Sequence, residues 1–168
     1  EVLAAARELA AGRSPDHLLI VNDRPDIALL AGADGVHLGQ TDVPIRDARQ
    51  LLGTERLIGA TCRTLAEARA ALDEGADHVG FGPIYPTASK QLEVEPRGLD
   101  MLSMVAAELP APVVAIGGIG LANIGLIAQA GAAAAAVMSE LMGTQYNCVP
   151  TEITERAAAL VRAFAAVR

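Results

Sequence analysis

Residues 18–42, LLIVNDRPDIALLAGADGVHLGQTD, decide the fold. The unbroken aliphatic run at 18–21 is typical of a buried strand. A short helix from Pro25 through Ala31 follows, and then a turn at 32–35 and a second apolar strand at 36–40. Near-continuous apolar strands that alternate with helices are typical of a parallel sheet covered by helices. The stretch therefore predicts an α/β fold.

The same alternation continues on both sides of this stretch. Strands are predicted at residues 18–21, 36–40, 57–62, 77–81, 112–118 and 134–139. Helices are predicted at residues 2–10, 25–31, 45–52, 65–75, 99–109, 122–130 and 152–167, with a helical turn at 139–142. Thr64 and Glu67 have the spacing of a capping box at the start of the fourth helix. The sequence predicts six strands and contains no hairpin signal.

The polar residues at the strand ends favour a barrel over an open sheet. They follow nearly every predicted strand, as in a (β/α)₈ barrel, whose site is assembled from all the βα loops. An open sheet would concentrate them at one switch point. We therefore predict one domain over residues 1–168, a TIM (β/α)₈-type barrel that lacks its first two βα units. Unpaired strand edges invite pairing with another chain, so a homo-oligomer is an expected partner state.

The composition is that of one soluble, cytoplasmic domain. The 168 residues are 52% hydrophobic, which is enough for a sizeable core, and the net charge of −7 argues against nucleic-acid binding. The apolar runs are too short for a membrane span, and no signal peptide opens the chain. Cys62 and Cys148 do not suggest a disulfide framework. An anionic substrate would have to be held by local donors or a metal.

The loop after the fourth predicted strand contains a candidate phosphate site. Two prolines and a glycine interrupt the regular ladder there. Thr87, Ser89 and Lys90 then supply two hydroxyls and an ammonium, which suit a phosphate or a diphosphate. The alternative is a solvated loop whose lysine binds nothing. The loop alone does not favour either alternative.

Two aspartates, Asp23 and Asp42, follow consecutive strands. Neighbouring parallel strands lie about 4.8 Å apart, so the two carboxylates could face one metal. One or two carboxylates, completed by water and phosphate, suit Mg²⁺. The alternative is that each aspartate caps the helix that begins near Pro25 or Pro44. The spacing alone favours capping.

A second candidate phosphate site follows the last two predicted strands. Gly117-Gly118 ends one strand, and Val137-Met138-Ser139 leads from the other into a helical turn. Backbone N–H groups at such loops bind an anion without basic side chains. The alternative is that the glycines only allow strand and helix to pack closely.

The histidines and Cys62 do not indicate a nucleophilic site. His17, His37 and His78 have no partner spacing, and His37 lies inside a strand, as a core residue would. Cys62 stands at a strand end without a histidine nearby in the sequence. We therefore do not expect nucleophilic catalysis.

Four segments together resemble the thiamine phosphate synthase family. They are VNDR (21–24), GVHLGQTD (35–42), GPIYPTASK (82–90) and AIGGI (115–119). They occur in the family's order and extend over nearly the whole chain. The resemblance implies a transferase of thiamine biosynthesis with a TIM-barrel fold. In the family's reaction, hydroxymethylpyrimidine diphosphate loses pyrophosphate, and the ring nitrogen of thiazole phosphate attacks the methylene to give thiamine phosphate.

The resemblance also implies roles for individual residues. Asp23 and Asp42 would hold Mg²⁺ on the diphosphate. Asn22, Thr61 and Lys90 would make the further contacts to the diphosphate during catalysis. The residues implied to bind thiazole phosphate are Thr87, Ser89, Gly118, Met138 and Ser139.

The chain departs from the family pattern at its start. The family's first two strands carry a Gln-x-Arg-x-Lys segment that grips pyrimidine and diphosphate, and this segment is absent. We therefore expect these 168 residues to bind thiazole phosphate but to make no thiamine phosphate. Two alternatives remain. TenI-like thiazole tautomerases share the barrel, but their proton transfer calls for a histidine near Arg63. The other alternative is a truncated barrel that binds a phosphoester or a partner chain without catalysis.

Overall fold

The computed structural model describes residues 1–87, 94–143 and 149–167. The strands are β1 (Ile20–Asn22), β2 (Gly35–Leu38), β3 (Leu57–Cys62), β4 (His78–Phe81), β5 (Val113–Ile116) and β6 (Ala134–Ala136). The helices are α1 (Val2–Gly12), α2 (Pro25–Ala31), α3 (Ile45–Leu52), α4 (Leu65–Asp73), α5 (Gly98–Glu108), α6 (Ile124–Gln129), α7 (Ser139–Met142) and α8 (Pro150–Ala165). Six strands alternating with helices are thus confirmed for these ranges. None of their helices has the length and apolarity needed to cross a bilayer.

The chain divides into two compact units, residues 1–79 and 80–168. In the first unit, β1, β2 and β3 pair in parallel and in chain order. The segment that leads into β4 lies next to β3, because the Asp77 N–H donates to the Ile58 carbonyl at 2.7 Å. Successive βα segments are therefore neighbours in this unit.

The second unit repeats this arrangement. β5 and β6 pair in parallel. The Ala133 N–H leads into β6 and donates to the Val113 carbonyl at 2.8 Å. The loop after β4 lies beside the end of β5, since the Ile84 N–H donates to the Ile116 carbonyl at 2.9 Å. The loops that follow β4, β5 and β6 therefore lie at the same edge of the sheet, where parallel strands have their carboxyl ends.

Small aliphatic side chains form the core of the first unit, as the low aromatic content requires. Leu38 and Ile58 are among its largest fully or almost fully buried side chains, and burying such a side chain stabilises a fold by about 1.5–3 kcal/mol. The buried residues of this cluster are Ala28, Ala33, Val36, Leu38, Ala48, Leu52 and Ile58. This core packs β2 and β3 against α2 and α3.

Besides β2, which ends at Leu38 instead of residue 40, two further predicted strands end earlier than the sequence suggested. β5 ends at Ile116, because Gly117 and Gly118 have φ angles of 90° and 67°, outside the region that strands use. β6 ends at Ala136, because the chain turns into α7 at Ser139. Both differences lengthen the loops that carry candidate site residues.

A repeated Gly-Ala-Asp segment joins helices to strands in the first unit. Asp34 and Asp77 stand just before β2 and β4. The Asp34 carboxylate accepts the Leu19 N–H at 2.7 Å, and the Asp77 carboxylate accepts the Ile58 N–H at 2.7 Å. Each carboxylate also pairs with an arginine, Arg13 for Asp34 and Arg49 for Asp77. These bonds hold the amino ends of β1 and β3.

Asp34→Asn is expected to destabilise the protein at neutral pH. The hydrogen bond from Leu19, followed by the Arg13 contact, holds the pKa of Asp34 below its usual range. Its contribution is therefore complete above the unfolded-state pKa of about 3.9 and is lost as pH falls through the folded-state value. Losing the charge should lower the free energy of unfolding by about 1 kcal/mol. Denaturant unfolding should show a difference at pH 7 that shrinks below pH 4, while the exposed Asp16→Asn control stays unchanged; a pH-independent difference would contradict this account.

Candidate functional site

Four candidate residues lie at the carboxyl ends of β1–β3 in the first unit. Asn22 ends β1 and stands opposite His37 of β2. The Asp23 N–H donates to the His37 carbonyl at 2.8 Å, so the chain stays tied to β2 just after β1 ends. Thr61 lies in β3, and Asp42 lies in the loop after β2. The register thus sets Asn22 and Asp23 beside His37 of β2, and a joint role of the four residues stays a prediction.

Neither aspartate holds the N-cap position of the helix that follows it. Arg24 holds the N-cap position of α2, and Pro44 holds that of α3. The Asp42 Oδ2 atom instead accepts the Gly39 N–H at 2.6 Å, which holds its carboxylate within the loop after β2.

Arg24 pairs with Asp26 in the first turn of α2, and this bond lowers the pKa of Asp26 to about 2.

The donor set at the ends of β1 and β2 fits Mg²⁺. This ion is usually bound through one or two carboxylates, with water and substrate phosphate completing its shell. The bond from Gly39 orients the Asp42 carboxylate, and a carboxylate has about four acceptor sites in all. In the ranges that the structure describes, no three His, Cys, Asp or Glu side chains gather as a cage. Mg²⁺ binding by Asp23 and Asp42 stays a prediction from the sequence.

A polar cluster around Gly59 in the first unit was missed by the sequence analysis. His37 Nε2 lies 2.8 Å from Thr61 Oγ1. The rings of His37 and His78 are 5.8 Å apart and inclined by 37°. A Cβ atom on Gly59 would overlap both imidazoles, so only glycine leaves room for the pair. Burial lowers the pKa of His78, with Asp77 opposing the shift.

Glu67 ties the loops after β2 and β3 together. Its Oε2 atom accepts the Gln40 side-chain amide at 2.6 Å and the Arg63 N–H at 2.7 Å. The Glu67 N–H donates to Thr64 Oγ1 at 3.1 Å, so half of the predicted capping box is present. The other half is replaced, because the glutamate reaches Arg63 one residue earlier than the N-cap. The spacing of Thr64 and Glu67 predicted that Glu67 accepts a backbone N–H, but the sequence did not show that this N–H belongs to Arg63.

In the second unit, the loops after β4, β5 and β6 line a cavity of about 700 Å³. Three residues predicted to bind thiazole phosphate are in its wall: Thr87, Gly118 and Ser139. Met138 stands next to them at the N-cap of α7. Ser89 and Lys90 lie outside the described residues. The cavity lining comprises Pro86, Thr87, Gly118, Ile119, Gly120, Leu121, Ala122, Asn123, Ser139 and Glu140.

Asn123 shapes the glycine-rich wall of this cavity. Its side-chain amide donates to the Gly118 carbonyl at 3.0 Å, and its Oδ1 atom accepts the Gly120 N–H at 2.9 Å. These bonds hold the loop after β5 in one conformation. The sequence analysis gave Asn123 no role. An asparagine just before a helix is nevertheless a recognisable signal for such a turn.

An acidic side chain also lies in this cavity. The Glu140 Oε2 atom is close enough to Gly120 that a Cβ there would lie 2.8 Å away. Glu140 thus shares the cavity wall with Gly118 and Ser139. A carboxylate in the lining repels an anion and so opposes anion binding. The cavity thus combines local N–H and O–H donors with one opposing charge.

The thiol in the first unit is not poised for catalysis. Cys62 is buried at 2% exposure, and its Sγ–H is directed to the Ala60 carbonyl at 3.6 Å. Burial, with a smaller contribution from Glu67, raises the pKa of Cys62 to about 12. A thiol of this pKa is almost entirely protonated at neutral pH. Cys62 therefore lacks the thiolate that nucleophilic catalysis needs, as expected from the sequence.

Comparison with known proteins gives a consistent family assignment. The family model described as thiamine monophosphate synthase matches residues 1–141. Thiamine-phosphate synthase of Anaeromyxobacter dehalogenans is 60% identical over 142 residues, which are 84% of this chain and 64% of the relative. The enzyme of the same name from Myxococcus xanthus is 51% identical over 147 residues, 88% of this chain and 65% of the relative. The chain thus spans just under two thirds of the length of these curated relatives.

Solved structures confirm the predicted fold class. Thiamine phosphate pyrophosphorylase from Pyrococcus furiosus superposes with a TM-score of 0.85 at 32% identity, covering 99% of this chain and 77% of that one. N-(5'-phosphoribosyl)anthranilate isomerase from the same organism has a TM-score of 0.65 at 16% identity, which supports the fold alone. The chain therefore has the α/β fold of the TIM-barrel type, with six parallel strands in the described residues.

Proposed function

The chain belongs to the thiamine monophosphate synthase family, and we propose that it serves the synthase reaction of that family. In this reaction hydroxymethylpyrimidine diphosphate and thiazole phosphate give thiamine phosphate and pyrophosphate. The curated relatives described above are named thiamine-phosphate synthase. The observation that carries the proposal is the cavity of the second unit, because its wall holds Thr87, Gly118 and Ser139 together.

The first unit would bind the diphosphate. Asp23 and Asp42 would hold Mg²⁺, which would supply positive charge to the departing pyrophosphate. Asn22 ends β1 and Thr61 lies near the end of β3, on either side of β2, and both would donate to the diphosphate oxygens. Lys90 lies outside the described residues and keeps this role as a prediction from the sequence. A chain with a net charge of −7 needs such local donors, because its overall field repels the substrate.

The second unit would bind the phosphate of the thiazole substrate. The hydroxyls of Thr87 and Ser139 and the backbone of Gly118 line the cavity, and Met138 precedes the first turn of α7. The Leu141 and Met142 N–H groups of α7 already donate to the Met138 carbonyl, so an anion there would rely on the hydroxyls and on N–H groups nearer the start of the helix. Ser89, outside the described residues, would add a further hydroxyl.

The chemistry asks the protein mainly to position two rings and to stabilise a leaving group. The bond between the pyrimidine methylene carbon and the diphosphate oxygen breaks, and that oxygen keeps the electron pair. The thiazole nitrogen lone pair then forms the new carbon–nitrogen bond. Donors that are already in place when negative charge develops on the pyrophosphate lower the barrier. No protein nucleophile is needed, in agreement with the buried, protonated thiol of Cys62.

A thiazole tautomerase of the TenI type is the second candidate, and the residues favour it less. Its proton transfer calls for a histidine near Arg63, and the neighbouring positions are Cys62 and Thr64. The Arg63 N–H donates to the Glu67 carboxylate.

A cytoplasmic location and a homo-oligomer stay predictions from the sequence.

Product formation by the protein that carries this chain tests the proposed function. The protein is mixed with hydroxymethylpyrimidine diphosphate, thiazole phosphate and Mg²⁺, and thiamine phosphate is measured after oxidation to its fluorescent thiochrome form. We expect product that depends on both substrates and on Mg²⁺. Tautomerised thiazole without condensation would favour the TenI-like alternative. Phosphoester binding without either product would leave a non-catalytic barrel.

A further inference from the structure

The hydroxyl of Thr61 has to be correctly oriented to help an anion. A threonine hydroxyl carries one hydrogen and two acceptor lone pairs. If its hydrogen is used inside the protein, the oxygen faces an approaching diphosphate with lone pairs, and the contact is repulsive. If the oxygen accepts a hydrogen bond from the protein, its own hydrogen is left for the diphosphate. The partner of Thr61 therefore decides whether this residue helps or hinders.

His37 is that partner, and the strand register explains why. His37 stands opposite Gly59 in the β2–β3 pair. Gly59 and Thr61 are two residues apart on β3, so they share one face of the strand. The empty side-chain position of Gly59 lets the imidazole lie over it and reach Thr61, giving the 2.8 Å contact between Nε2 and Oγ1. Any side chain at position 59 would fill this space.

His78 packs on the other side of the same position. A Cβ atom on Gly59 would meet both Nε2 of His78 and Nδ1 of His37, so the two rings converge over the glycine. Their centroids are 5.8 Å apart. The His37 ring thus has Gly59 on one side and the His78 ring beside it, which limits its movement away from Thr61. The cluster is therefore arranged to fix one orientation of His37.

We propose that His37 is a positioning residue, whose Nε2–H donates to Thr61 Oγ1 and so directs the Thr61 hydroxyl hydrogen to the diphosphate. The inference rests on the proposed function, which makes the diphosphate the anion that Thr61 contacts. His37 itself takes no part in bond breaking. Gly59 is the spacer that admits the ring, and His78 fixes its plane.

A double-mutant cycle in the protein that carries this chain tests the inference. His37→Leu removes the ring nitrogen, and Thr61→Val removes the hydroxyl with little change of shape. Each is expected to lower kcat/KM for the pyrimidine diphosphate about 10- to 100-fold, the range for a hydrogen bond to a charged group. KM for thiazole phosphate should not change. The double variant should be no worse than Thr61→Val, because His37 acts only through the hydroxyl.

Two further variants separate positioning from general packing. His37→Gln can place an amide N–H near the position of Nε2, and it should recover most of the activity that His37→Leu loses. His17→Leu removes an imidazole from an exposed turn of the same unit and should leave activity unchanged. Additive losses in the double variant, or a glutamine variant as poor as the leucine variant, would overturn the role of His37.

Nitrogen NMR of the His37 ring gives a measurement that does not depend on turnover. The inference predicts the Nε2–H tautomer in the wild-type protein and a changed Nε2 resonance in Thr61→Val. A predominant Nδ1–H tautomer would overturn it even if the His37 variants fail to fold. If the wild-type protein makes no thiamine phosphate, the proposed function fails and this role fails with it. If the wild-type protein is active and the activity losses of the two single variants add up in the double variant, only the role of His37 is ruled out.

Discussion

Asp42→Asn is expected to abolish Mg²⁺-dependent turnover and to leave the fold nearly intact. Asparagine keeps an oxygen that can accept the Gly39 N–H, so the loop after β2 should hold its shape. It would lose the negative charge that we propose holds Mg²⁺ together with Asp23. Removing even an indirect partner of a metal typically costs about 10–100-fold, so loss of a direct ligand should reach at least that range. Turnover and calorimetry of pyrophosphate binding at several Mg²⁺ concentrations would measure the effect.

Asp47→Asn is the matched control for this prediction. Asp47 is an exposed aspartate in the first turn of α3, five residues after Asp42. Its replacement should change neither Mg²⁺ dependence nor turnover. If Asp42→Asn keeps full activity at limiting Mg²⁺, Asp42 is not a metal ligand, and its bond to Gly39 serves only the loop.

Gly118→Ala is expected to remove thiazole phosphate binding. Gly118 has a φ of 67°, a conformation that costs an L-residue about 1–2 kcal/mol. Its new Cβ would also lie 2.6 Å from the Pro86 carbonyl oxygen and 2.7 Å from Tyr85 Cβ. These atoms belong to the loop that carries Thr87, so the cavity wall must shift. A displacement of a binding group by about 1 Å can lower its effectiveness about 10²-fold. Calorimetry would detect a loss of thiazole phosphate affinity of that size.

Gly125→Ala is the control in the same unit. Gly125 lies within α6, where a Cβ would make only ordinary contacts at 3.9 Å. Alanine should strengthen that helix by up to about 1 kcal/mol and leave binding unchanged. Unaltered thiazole phosphate affinity in a folded Gly118→Ala protein would mean that the cavity in the second unit is not the thiazole phosphate site.

Local signals predicted most of the secondary structure. The bounds of α3 and β3 agree with the prediction, because Pro44 and Gly53 delimit the helix and an aliphatic run forms the strand. The helical turn at Ser139–Met142 was also predicted correctly. The spacing of apolar residues and the positions of proline and glycine are local properties of the chain. They can therefore be read from a single sequence.

The contacts inside the candidate site could not be predicted in the same way. His37 and Thr61 are 24 residues apart in the chain and meet through the register of β2 on β3. That register depends on how α3 packs, which the sequence pattern leaves open. His37 therefore looked like an ordinary core residue. The aspartates posed a similar problem, because helix capping and metal binding favour the same residue at the same place.

Calorimetry of two probes on three proteins tests the central claim most directly. The probes are thiazole phosphate and pyrophosphate with Mg²⁺, and the proteins are the wild-type protein that carries this chain, Asp42→Asn and Gly118→Ala. The account predicts that Asp42→Asn loses pyrophosphate binding and keeps thiazole phosphate binding, whereas Gly118→Ala shows the reverse. The assignment of the diphosphate to β1–β3 and of the thiazole phosphate to the cavity would be contradicted by either of two results. One is a folded variant that binds neither probe, and the other is that both variants still bind both probes.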